Sequence, residues 1–211
     1  GNEERKNIEF QCVADHLHPL RDVLMEPITR PGQYTHPGVV REVLSFFKGL
    51  TSVEGPRKTQ IFQAIDICSV IGLLFDSSDV LVQEQAAGFL RNLTHGDNNR
   101  KQVIFQSLPG PLLPLLHSPS PRVVQSVAGL LQNLCTRSEA RRAEVFKQLS
   151  LTDVVQLLKH DDPHVIAPAA GLLMNLCRTD HRRKLAILRA VPLNLLHGFY
   201  IEGHPPRACR E

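Results

Sequence analysis

Apolar residues recur along this chain at a helical spacing. Val123, Val127, Leu130 and Leu134 fall at i, i+4, i+7 and i+11, which places them on one stripe of a 3.6-residue helix. The same stripe is drawn by Val82, Ala86, Phe89 and Leu93, by Val165, Ala169, Leu172 and Leu176, and by Val39, Val43, Phe46 and Leu50. With about 100° of rotation per residue, Arg122, Ser126, Gly129 and Asn133 share a neighbouring, more polar face. The pattern predicts four long amphipathic helices, each burying one stripe.

The stripes sit in a repeating phrase. Ala128-Gly129-Leu130-Leu131-Gln132-Asn133-Leu134-Cys135 returns as Ala87-Gly88-Phe89-Leu90-Arg91-Asn92-Leu93-Thr94 and as Ala170-Gly171-Leu172-Leu173-Met174-Asn175-Leu176-Cys177, with a weaker copy at residues 44–51. From Gly49 to Asn92, Asn133 and Asn175 the steps are 43, 41 and 42 residues. A fixed period in this range is the signature of a helical solenoid, in which each repeat buries its apolar face against its neighbours. A second phrase keeps time with the first: Arg5-Lys6, Arg57-Lys58, Arg100-Lys101, Arg141-Arg142 and Arg183-Lys184 each lie four residues before Phe or Leu. Its first step, 52 residues, is longer than the rest because residues 26–38 carry three prolines and two glycines, which reads as an insertion of about ten residues before a long helix.

Asn-Leu-Cys at the end of a long helix, recurring at this period, resembles the armadillo repeat, and residues 169–176 resemble the long third helix of repeats in the β-catenin group. A HEAT-type solenoid is the rival. The resemblance spans residues 2–200 and implies an all-α, right-handed superhelix of about four to five repeats, truncated at both ends. Within it, residues 2–54 form a degenerate first repeat with the inserted loop 26–38, residues 55–96, 97–136 and 137–179 are complete repeats, 180–200 is a partial repeat, and 201–211 is a loose tail. The basic pairs open the short first helices, so the chain is expected to start in mid-repeat at residues 2–24. Short second helices are expected at 67–75, 111–116, 152–159 and 192–199, and Asp76-Ser77-Ser78-Asp79, Ser118-Pro119-Ser120-Pro121 and Asp161-Asp162-Pro163 punctuate the starts of long helices. The family's glycine between first and second helices survives at Gly110, whereas Asp66, Leu151 and Ala190 stand near the other turns.

Composition narrows the function more than the fold. The net charge of +3 is too small to argue for nucleic-acid binding, and no apolar run reaches the length of a membrane span. Five cysteines stand singly at 12, 68, 135, 177 and 209, which argues against a disulfide framework and fits the cytoplasm, the nucleus included. Cys135 and Cys177 occupy one repeat position and read as small buried hydrophobes. There is no Gly-rich phosphate loop, no H-E-x-x-H and no G-x-S-x-G. His160 and His164 stand four apart, but Pro163 places a helix start between them and no cysteine or carboxylate joins them at ligand spacing. No enzyme activity, metal or cofactor is expected.

Two sets of residues remain as candidates. Arg57, Lys58, Arg100, Lys101, Arg141, Arg142, Arg183 and Lys184 are expected to form a basic stripe along one edge, either solvated or facing an acidic partner. Cations in a helix's first turn oppose its dipole, so local helix stability does not explain them. The second set is a ladder. In the family the face bearing Asn92, Asn133 and Asn175 lines the concave groove, and a carboxamide can pair with the N–H and C=O of one peptide unit. Gln85, Arg91, Gln125 and Gln132 extend that face, and Gly49 breaks the ladder in the first copy. The alternative role for each asparagine is to brace the next repeat. Import receptors of the family carry Trp one turn before the Asn, where this chain has Gly88, Gly129 and Gly171, so no cation–π slot is offered to a lysine. The expectation is a non-catalytic scaffold for a protein partner, held through an extended, acidic peptide, with no small-molecule substrate and no membrane. The alternatives are a structural solenoid within a larger multidomain protein, such as a kinase or ciliary scaffold, and, with less support, a nucleic-acid-binding repeat, which would want stacking aromatics at the groove positions.

Overall fold

The computed structural model describes residues 36–192 and Leu195. The expected first helix at residues 2–24, the insertion up to residue 35, most of the helix at 192–199 and the tail lie outside the described residues. Among those described there are ten α-helices, one 3₁₀ turn and no strands. The chain divides into two compact units at Ser107 and Leu108, inside the expected repeat 97–136.

Unit 1 contains α1 (Pro37–Leu50), α2 (Pro56–Ala64), α3 (Ile67–Asp76), α4 (Val80–Leu93) and α5 (Asn98–Ser107). The long helix α4 is packed chiefly against α1 and α3. Val82, Ala86, Phe89 and Leu93 are buried as the stripe predicts, and the ring of Phe89 stacks on Phe47 with centroids 5.9 Å apart. Asp79 accepts hydrogen bonds from the N–H of Leu81 and Val82, satisfying two of the donors a helix start leaves open.

The register of α1 departs from expectation. Val40, Leu44, Phe47 and Thr51 are buried, while Val39 is 47% and Phe46 52% exposed. Val43 remains inside, but the inward face is rotated by one residue, about 100°. Two contacts explain it: Phe47 reaches Phe89, and the buried Thr51 hydroxyl satisfies itself by donating to Phe47 O at 2.8 Å. The loop expected to run to residue 38 ends earlier, since Pro37 and Gly38 already belong to α1 and His36 Nδ1 caps it by accepting from Gly38 N.

Unit 2 contains the 3₁₀ turn (Leu113–His117), α6 (Pro121–Leu134), α7 (Glu139–Gln148), α8 (Leu151–Leu157), α9 (Pro163–Leu176) and α10 (His181–Ala190). The most extensive packing joins α6 to α9, burying Val123, Val127, Leu130 and Leu134 beside Val165, Ala169, Leu172 and Leu176. An α-helix was expected at 111–116; a 3₁₀ turn stands there because Pro111 and Pro114 remove backbone donors from so short a segment. Pro168 lies inside α9, where its missing N–H breaks one rung of the helix ladder. The turns without the family's glycine use extended backbone instead, at Ile65, Leu149 and Val191, a conformation open to any residue.

Each long helix from α4 on ends in the same way. Gly96, Arg137 and Thr179 occupy one position in three successive repeats and all have positive φ, +82°, +55° and +66°. Glycine enters that conformation without cost, whereas Arg137 and the β-branched Thr179 are held in it by their surroundings.

Candidate functional site

The carboxamide of Asn92 near the end of α4 donates through Nδ2 to Lys48 O on α1 at 2.9 Å. In unit 2 the same device recurs: Asn175 on α9 donates to Gln132 O on α6, also at 2.9 Å. The acceptor in both cases is the residue one before the ladder position of the preceding repeat. Asn175 is 5% exposed; Asn92 and Asn133 are half-buried. The bond uses one N–H of a group that has two and a carbonyl oxygen besides.

Two of the flanking candidates, Gln85 and Gln132, lie beside these bonds. Lys48 donates through Nζ to Gln85 Oε1, which puts a cation and a carboxamide beside Asn92. Arg91 is half-buried, and that burial lowers the pKa of its guanidinium. In unit 2, Gln125 and Gln132 are half-buried, and the carboxamide of Gln132 lies over Gly171. A Cβ at Gly171 would come within 2.2 Å of Gln132 Nε2. Glycine at position 171 therefore makes room for a neighbouring polar side chain.

The expected basic edge is corrected by burial. Lys58, Arg100, Lys101, Arg141, Arg142 and Arg183 are all 7% exposed or less, and of the eight cations Arg57 and Lys184 alone are exposed. The arginines turn back toward the helix that precedes them. Arg100 Nε donates to Leu93 O at 2.9 Å, Arg141 Nε to Leu134 O at 2.7 Å and Arg183 Nε to Leu176 O at 3.1 Å. Arg100 and Arg141 also reach the carbonyls of His95 and Thr136 at 3.1 Å through a second nitrogen. The last carbonyls of a helix are unpaired and carry its partial negative charge, so each guanidinium is a cap for the long helix seven residues upstream. Its own backbone N–H is capped in turn by Asp97, Ser138 or Asp180.

Two carboxylates extend the row across repeats. Glu54 accepts from Lys58 at 2.9 Å and from Arg100 at 2.5 Å. Partial burial would raise its pKa, but the hydrogen bonds from Lys58 and Arg100 outweigh that and hold it below the ordinary value. Glu139 accepts from the Thr179 hydroxyl, from Arg183 and from Arg142, which push its pKa down to about 2. Sequence reasoning singled out this constant spacing but assigned it to solvent or a partner; the signal that could have corrected it is the fixed interval of seven residues between Asn-Leu and Arg.

Other candidates resolve simply. Cys135 is buried, which raises its thiol pKa to about 12, and Cys177 is raised in the same direction for the same reason. His160 Nδ1 accepts from Asp162 N at 2.9 Å and so helps shape a turn. Among the described residues no three His, Cys, Asp or Glu side chains converge as a metal set would require, and no single helix is long and apolar enough to cross a membrane.

Comparison with known proteins agrees with this architecture. The sequence profile of the Armadillo/beta-catenin-like repeat matches residues 97–136. A designed armadillo repeat protein in complex with the peptide (KR)4 superposes with a TM-score of 0.77 over 94% of this chain and 80% of its own, at 19% identity. Residues 97–136 thus match the armadillo repeat, and the fold is that of armadillo-repeat proteins. A second designed armadillo protein, built for modular peptide recognition, gives a TM-score of 0.77 at 18% identity over 94% of this chain and 80% of its own. An engineered protein gives 0.77 at 22% identity, covering 93% and 78%. A comparison with curated proteins by sequence returns no match. In armadillo terms α4 of unit 1 and α6 and α9 of unit 2 correspond to third helices, and each carries one of the asparagines.

Proposed function

We propose that the chain is a non-catalytic scaffold that holds a protein partner through an extended peptide bound by the asparagines of its long helices, Asn92 in unit 1 and Asn133 and Asn175 in unit 2. The observation that carries the reading is the pair of bonds from Asn92 to Lys48 O and from Asn175 to Gln132 O. Each fixes the plane of a carboxamide while using one of its donors, so a remaining N–H and the oxygen stand oriented for a peptide unit. Bracing and binding are thus compatible in one side chain. Lys48 and Arg91 beside Asn92 favour an acidic peptide, whereas the ladder of unit 2 is flanked by the uncharged Gln125 and Gln132. The peptide named with one designed armadillo protein is basic, (KR)4. The proposal therefore rests its charge preference on Lys48 and Arg91 alone. The single, widely spaced cysteines support a reducing compartment, cytoplasm or nucleus, for this scaffold.

The test is selection of binders from a random displayed peptide library, followed by titration of the enriched peptide. Enrichment of Asp and Glu, with affinity weakened about tenfold or more in Lys48→Glu with Arg91→Glu, is the expected outcome. Enrichment of Lys and Arg would overturn the acidic preference, and no enrichment at all would overturn the peptide reading. A second reading, a solenoid that serves chiefly as a structural spacer, is favoured by the bracing role of the same asparagines and would be left standing by that last result.

A further inference from the structure

Neither the fold nor the ladder accounts for Ser118-Pro119-Ser120-Pro121, the link between the 3₁₀ turn and α6. Ser120 is the N-cap residue of α6, yet its hydroxyl makes no capping bond. The corresponding positions in the adjacent repeats are Asp79 and Asp162, 41 residues before and 42 after. There the carboxylates do cap, Asp79 accepting from Leu81 and Val82 and Asp162 from His164. The middle repeat thus has a neutral hydroxyl where its neighbours have an anion. Ser118 (φ −57°, ψ 141°) and Ser120 (φ −89°, ψ 115°) both have extended backbone, as a following proline requires, and no described peptide bond is cis. His117, Pro119, Pro121 and Arg122 are exposed and the serines half-buried.

We propose that Ser120 is a phosphorylation site for a proline-directed serine/threonine kinase, and that the phosphate supplies the anionic cap α6 lacks. The γ-phosphoryl group of a nucleoside triphosphate passes to Ser120 Oγ. The bond between the γ-phosphorus and the β–γ bridging oxygen breaks, the hydroxyl proton goes to the kinase's base, and the nucleoside diphosphate leaves. The product carries a charge of about −1.5 to −2 at the positive end of a 14-residue helix. Pro121 has no N–H, so the backbone donors at this end begin at Arg122 and Val123, the pair corresponding to the N–H groups of Leu81 and Val82 that Asp79 binds. The cationic side chain of Arg122 stands in the same first turn.

The experiment uses a proline-directed kinase chosen for its activity on a synthetic peptide of residues 115–125, with Mg-ATP and the folded chain. Intact mass and fragment mapping are expected to show one phosphate, on Ser120, lost in Ser120→Ala and retained in Ser118→Ala. The phosphorylated chain is expected to unfold about 2–4 °C higher than the unmodified one. Phosphate on Ser118, a folded chain left unmodified by that kinase, or a midpoint that falls or stays level would each overturn the proposal.

Discussion

Replacing Arg100 by Met removes a guanidinium whose three nitrogens all donate inside unit 1 while keeping most of its apolar stem. Arg100 is 3% exposed and bonds Leu93 O at 2.9 Å, His95 O at 3.1 Å, the Thr59 hydroxyl at 3.0 Å and Glu54 at 2.5 Å. Glu54 is about half exposed, so water replaces its lost partner at little cost. The helix-end carbonyls are different, since a buried polar group left without a partner costs about 1–3 kcal/mol. Losing one side of a buried charged network costs about 3–5 kcal/mol, which bounds the sum. Arg100→Met should therefore destabilise by about 3–5 kcal/mol, and Arg100→Lys, which keeps the charge but not the fork, by somewhat less. Urea unfolding followed by circular dichroism measures this, with the exposed Arg57→Met as the control expected within about 0.5 kcal/mol of the parent. A loss below about 1 kcal/mol for Arg100→Met, or one equal to that of Arg57→Met, would refute the capping role and return the row to the surface.

The acid side of the row should show in pH dependence. Glu139 has its folded pKa depressed to about 2, so its contribution is fully present above the ordinary value of 4.5 and is lost as the pH falls toward 2; Glu139→Gln should flatten that part of the stability profile, and an unchanged profile would count against the bonds to Thr179 and Arg183. Arg137→Gly relieves a left-handed residue at +55° and should stabilise by about 1 kcal/mol, read as a higher urea midpoint; a lower midpoint would show that the Arg137 side chain matters more than its backbone. Pro168→Ala restores a donor within α9 and should stabilise by about 1–3 kcal/mol in the same assay; no gain would mean the helix has already relaxed around the ring.

Much of the fold was legible because a 3.6-residue period repeated in three long stretches leaves little freedom in register. The exception is instructive. In α1 the chain offers apolar doublets, Val39-Val40 and Phe46-Phe47, so two stripes one residue apart fit equally well. The choice between them is made by Phe89, a residue 42 positions beyond Phe47, and by the ability of Thr51 to satisfy its own hydroxyl. The arginine row was visible as a spacing but not as a structure. Its charge pointed outward to solvent, while its partners are carbonyls, which every residue has and no sequence pattern marks. The shared left-handed position was hidden for a related reason: Gly96 announces a turn, but Arg137 and Thr179 at the same place do not. The asparagines were read as either clamps or braces; Asn92 and Asn175 brace, and the clamp is left to a binding test.

That test is calorimetric titration of the library-selected peptide into the parent chain, Asn92→Ala and Asn175→Ala, each first shown to be folded. Because these asparagines brace their repeats, each variant should lose about 0.5–1.5 kcal/mol of stability and remain folded. If they also hold a peptide unit, affinity should fall by about 1–3 kcal/mol for each, roughly five- to 150-fold, and further in the double variant. Binding by the folded double variant that equals the parent's would contradict the ladder as the interaction face.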